Sequence, residues 1–122
     1  MHMKTIKLIA ITGFIVLSTL MLQGTALAES GSITIIKPTN GETLKSGSNN
    51  VLEYNVKLSP TGNHLHIYID DQSPIIVRKV TMCPCSMDLP TLSPGKHTIA
   101  VKEATINHAL TGLESSVSFT VK

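Results

Sequence analysis

The chain has 122 residues, with 10 Lys+Arg against 8 Asp+Glu, no Trp, two Tyr and two Phe. That length allows one small core and excludes a deep enzyme cleft flanked by subdomains. With no basic block and so few aromatic rings to stack on bases, nucleic acid is excluded as the expected partner.

Residues 1–28 read as a cleavable secretory signal helix. Lys4 and Lys7 give a positive start, residues 8–22 an apolar run, and Ala26-Leu27-Ala28 a small-x-small cleavage site. The run is interrupted by Thr12, Gly13, Ser18 and Thr19 and is shorter than the roughly 20 apolar residues of a spanning helix. An uncleaved N-terminal anchor is the alternative. Cleavage after Ala28 leaves one domain over residues 29–122, periplasmic or secreted, with no membrane span. Lys4 and Lys7 depart with the signal, so eight basic side chains face eight acidic ones. A near-neutral domain is not drawn to an anionic membrane surface.

Past Ala28, short alternating segments split by turn residues predict an all-β domain. The first strand covers residues 32–37 and ends at Pro38-Thr39-Asn40-Gly41. The second, 51–58, places Leu52, Tyr54, Val56 and Leu58 on one face. In the third, 64–70, Leu65, Ile67 and Ile69 point inward, while His64, His66, Tyr68 and Asp70 share the other face. The remaining strands are expected at 75–80, 87–89, 96–103 and 115–121, the last with Val117, Phe119 and Val121 on one side. Seven such strands predict an immunoglobulin-like β-sandwich.

Leu92-Ser93-Pro94-Gly95-Lys96-His97 resembles the L-x-P-G turn into the sixth strand of fibronectin III and related Ig-like domains. Residues 62–71, which carry His64-Leu65-His66, resemble the third strand of small exported bacterial Ig-like domains with an H-x-H motif. Those domains also tend to place His after the Pro-Gly turn and near the last hairpin, where His97 and His108 stand here. The resemblance implies the sandwich fold but no single function, since such folds host many jobs. The cysteines that staple immunoglobulin sheets are absent from the second and sixth strands, so the core is expected to hold by packing.

Both cysteines sit in Met82-Cys83-Pro84-Cys85-Ser86-Met87. A disulfide across one residue closes a small, strained ring and removes little unfolded-state entropy, so stapling explains the pair poorly. Three readings stay open. Thiolates and thioethers together suit Cu(I), with neighbouring imidazoles suiting copper or zinc. An exposed Cys-Pro-Cys disulfide would be labile and redox-active. Otherwise the cysteines are small side chains without a task.

Strand order sharpens the metal reading. Adjacent strands alternate in direction, so His64, the Cys83–Cys85 loop and the hairpin carrying His108 fall at one end of the sandwich. Met82, Cys83, Cys85, Met87, His64 and His108 are therefore expected around one rim, with His66 one pleat along from His64. The two strand histidines read equally well as exposed polar positions, and His108 as a loop residue. His97 points inward at the far end and reads, with Pro94 and Gly95, as a structural corner residue hydrogen-bonded to backbone.

No G-x-S-x-G elbow, H-E-x-x-H or phosphate loop occurs, and the carboxylates are dispersed. The expectation is a non-enzymatic exported domain binding a transition metal, copper foremost, for storage, sequestration or delivery. The alternative is an adhesion or interaction module whose partner is another envelope protein.

Overall fold

Alternating apolar side chains need a second apolar surface to face, and two sheets supply it to each other. The computed structural model describes residues 31–80 and 83–122. The expected signal and Met82 lie outside the described residues. Within them eight strands form: β1 (Ser32–Lys37), β2 (Thr43–Leu44), β3 (Val51–Lys57), β4 (His64–Ile69), β5 (Ile75–Val77), β6 (Cys85–Asp88), β7 (Gly95–Ala104) and β8 (Leu110–Val121). One sheet has the order β1-β3-β6 and the other β2-β8-β7-β4-β5.

The seven expected strands are all present, with shifted ends, and β2 is an addition. It pairs parallel to β8, Thr43 with Thr120 and Leu44 with Val121. Two residues are too few to show a period-2 pattern. Strand β8 begins at Leu110 because the hairpin pairs Ala104 with Leu110 and Lys102 with Glu114.

Leu52 and Tyr54 of β3 meet Leu65, Ile67 and Ile69 of β4, Ile99 and Val101 of β7, and Phe119 and Val121 of β8 in one core. Fully burying a large apolar side chain stabilises by about 1.5–3 kcal/mol. Among the described residues the only disulfide joins Cys83 to Cys85, so no covalent bond ties the sheets together.

One charge breaks the apolar pattern. Glu103 of β7 lies opposite Leu65, on the core side, and is fully buried. Its carboxylate accepts bonds from the Ser59 amide (2.7 Å), the Ser59 hydroxyl (2.6 Å) and the Thr111 hydroxyl (2.8 Å). Burial pushes its pKa upward, but these bonds, the Ser59 hydroxyl first, outweigh it and hold the carboxyl below its ordinary range. Gly62 passes so close that a Cβ there would collide with the Glu103 carboxylate.

At the opposite end Gly95 opens β7 with φ 130, a conformation that needs glycine. Two residues on, His97 contacts the Asp70 carboxylate through Nδ1 and the Ser93 carbonyl through Nε2, both at 2.7 Å. Both partners are acceptors, so the ring satisfies both only as an imidazolium. Accordingly the Asp70 bond, then the Ser93 bond, raise the His97 pKa against the opposing effect of burial. Burial alone would raise Asp70, but the bonds from His97 and the Thr98 amide prevail and lower it.

Two predictions follow from these contacts. Gly62→Ala should lower unfolding free energy by about 1–3 kcal/mol in a denaturant titration, because the carboxylate must move off its donors. The imidazolium of His97 adds stability fully below the ordinary imidazole pKa of about 6.5, and this is lost as pH rises through its raised folded value. Asp70, lowered, contributes above about pH 3.9 and loses its share as pH falls. Chelator-treated protein should therefore lose stability as pH rises from about 6.5 through the raised His97 value, and His97→Gln, weaker by about 1–3 kcal/mol at pH 6, should lack that decline. An equal decline in His97→Gln would remove His97 as its source.

Candidate metal centre

The two-residue period of β4 puts His64 and His66 on one face, away from the core. That face is not open. His64 and His66 are 1% and 7% exposed, so the reading of both as exposed polar positions does not hold. The cover comes partly from the β7–β8 hairpin, whose His108 ring lies edge-on to His64 with centroids 4.6 Å apart and tilted against His66 at 5.5 Å.

The hairpin explains how His108 arrives there. The His108 amide donates to the Thr105 carbonyl (2.9 Å), and the Thr105 amide donates to the Ala109 carbonyl (2.8 Å). This encloses a three-residue loop that ends in a left-handed residue, a position favouring glycine. Here His108 occupies it, with φ 66. A non-glycine residue held in that region costs of order 1 kcal/mol, a strain that clusters at functional positions.

His64 Nε2 lies 3.0 Å from His66 Nε2 and 3.1 Å from His108 Nδ1, and the last two are 3.3 Å apart. Among the described residues these three form the group able to hold a metal ion, and no carboxylate or cysteine joins it. A first-row transition metal ion would be held here by His64 Nε2, His66 Nε2 and His108 Nδ1.

The outer nitrogens decide which lone pairs face inward. His64 Nδ1 is 3.0 Å from the Asn63 amide oxygen, and His66 Nδ1 is 3.5 Å from the Tyr68 hydroxyl. Burial first, then His108, His66 and Arg78, lower the His64 pKa; burial, His108 and Arg78 do so for His66. Both rings are thereby held in the neutral form that binds metals. Arg78 acts in both directions, since its charge also opposes a bound cation.

The expected sulfur ligands do not join the imidazoles. Cys83 and Cys85 are bonded to each other, so as oxidised sulfur neither offers a thiolate. Cys85 lies opposite Tyr54 and Met87 opposite Leu52, and both pack against the core. His97 bonds Asp70 and Ser93 at the far end. Asn63, Tyr68 and Glu103 were not singled out from sequence. Asn63 directly precedes His64, but among turn residues nothing distinguished it.

No protein-family model and no curated protein matches the chain. Among solved structures, it is similar to fibronectin(III)-like modules of CbhA from Clostridium thermocellum, at 19% identity over 74% of this chain and 94% of that chain, with a TM-score of 0.57. It is also similar to the extracellular domain of a hybrid two component system from B. thetaiotaomicron, at 12% identity, 77% of this chain and TM-score 0.53, spanning only 15% of that chain. CopC from Methylosinus trichosporium OB3b matches at 13% identity, 75% of this chain and 93% of that chain, with a TM-score of 0.48, too loose to carry an argument. No helix among the described residues is long and apolar enough to cross a membrane. At such low identity these likenesses show one thing, the fold: a fibronectin III-like β-sandwich.

Proposed function

We propose that this is a non-enzymatic domain, exported by the signal read in residues 1–28, that binds a first-row transition metal ion through His64, His66 and His108. The observation that carries the reading is the triangle of imidazole nitrogens 3.0–3.3 Å on edge. Neutral imidazoles suit copper and zinc, and copper(II) heads the affinity order for such donors. Copper is the ion proposed, for storage, sequestration or hand-over; zinc is its competitor in the test. Glu103, engaged by Ser59 and Thr111 on the core side, supplies no general base beside the ion, which favours holding over catalysis.

Sulfur has no part in this reading while Cys83 and Cys85 remain paired. A second reading, an interaction module for another envelope protein, draws on Ile106 and Leu110, 72% and 48% exposed in and beside the His108 hairpin.

Calorimetric titration of chelator-treated protein with copper(II) and zinc(II) tests the proposal. One equivalent should bind. His64→Ala and His66→Ala should weaken binding by more than about 100-fold, beyond the 10–100-fold typical of outer-shell changes. His108→Gly should lose affinity as steeply while keeping or gaining stability by up to about 1 kcal/mol, because glycine relieves the left-handed φ. Loss of binding with a sound fold separates ligation from packing. Cys83→Ser with Cys85→Ser should leave copper(II) affinity unchanged. Parent-like affinity in the three histidine variants would contradict the proposal, and loss of copper(II) in the serine variant would return the cysteines to the ligand set.

A further inference from the structure

We infer that Asn63 is a positioning residue of this metal centre, its amide oxygen fixing His64 as the Nδ1–H tautomer so that Nε2 presents its lone pair to the ion. The inference rests on the metal reading above and assigns a role to a residue outside the ligand set. A neutral imidazole carries one hydrogen, and the partner of one nitrogen determines what the other can do. His64 is almost fully buried, so solvent does not make that choice. The Asn63 amide oxygen, 3.0 Å from Nδ1, does.

The control falls on the ring that matters most. His64 Nε2 is common to the two shortest edges of the triangle, 3.0 and 3.1 Å. By comparison His66 Nδ1 has only the looser 3.5 Å contact with the Tyr68 hydroxyl. With the hydrogen on Nδ1, His64 Nε2 accepts from a neighbouring imidazole in the metal-free protein and binds the ion when it arrives. Were the Asn63 amide turned over, its NH2 would donate to Nδ1. The ring hydrogen would then sit on Nε2, inside the triangle, where it blocks coordination.

Asn63 is itself held in place. Its backbone amide donates to the Ala104 carbonyl (2.9 Å), and the preceding Gly62 amide donates to the Ser59 carbonyl (3.0 Å). Ser59 is in turn fixed by the buried Glu103 carboxylate. The amide oxygen thus hangs from the β3–β4 turn, which is anchored on β7 through Ala104 and Glu103.

Asn63→Asp and Asn63→Leu separate this role from a merely structural one. Aspartate offers only acceptors, keeps the Nδ1–H tautomer and adds a negative charge; leucine keeps the approximate shape without an acceptor. Copper(II) titration should give an affinity for Asn63→Asp equal to or above that of the parent, and one about 10–100-fold weaker for Asn63→Leu. Nitrogen-15 NMR of the metal-free parent should show the His64 hydrogen on Nδ1. Equal affinity in the parent and Asn63→Leu, or equal weakening in both variants, overturns the inference. A His64 hydrogen on Nε2 in the parent overturns it too, even if the leucine variant fails to fold. Nδ1–H in a parent that binds no metal supports the tautomer control and overturns the metal reading instead.

Discussion

A carboxylate without contact with water must find donors, and the donors found by Glu103 determine the shape of one end of this sandwich. Leaving such a charge unpaired costs several kcal/mol. The Ser59 amide and hydroxyl and the Thr111 hydroxyl therefore stay where the carboxylate needs them. Ser59 belongs to the β3–β4 turn, which delivers Asn63 and His64. Thr111 stands in the second residue of β8, just past the hairpin that carries His108. One buried charge thus ties together the two chain segments from which the imidazoles come, and Gly62 is the residue whose missing side chain leaves it room.

On the far side of the same sheet the histidines solve a related problem in another way. The buried imidazoles of His64 and His66 avoid the cost of charge by favouring the neutral form, and the nearby His108 and Arg78 strengthen that preference. Their nitrogens converge with that of His108, an arrangement suited to a shared cation. The left-handed backbone at His108 adds a local cost that glycine in that position would remove. His97 shows the contrasting case. With two acceptors it is drawn toward the charged form, and it serves as a corner tie rather than a ligand.

Much of the fold was legible in the sequence because alternation in β3, β4 and β8 marks their inner faces directly. Strand β2, at two residues, carries no period and was not foreseen. For the site, strand direction brought His64 and His108 to one end without coordinates. The burial of His64 and His66 was not readable, because a period-2 pattern says which residues share a face, not whether a hairpin will fold over it. The emphasis on Cys83 and Cys85 came from ligand softness, a property of side-chain type that takes no account of their bonding to each other. Glu103 looked like one dispersed carboxylate among several. The alternation of His97, Ile99 and Val101 puts it on the inner face, but its donors, Ser59 and Thr111, come from other segments that no local pattern brings to it.

The metal ion proposed for this end of the domain would be held by nitrogen from three imidazoles, without sulfur. X-ray absorption of the copper(II)-loaded protein measures that shell directly. Scattering from three imidazole nitrogens at about 2.0 Å is expected, with any further light scatterer coming from solvent. A sulfur scatterer near 2.3 Å, or fewer than three imidazole nitrogens, would contradict it.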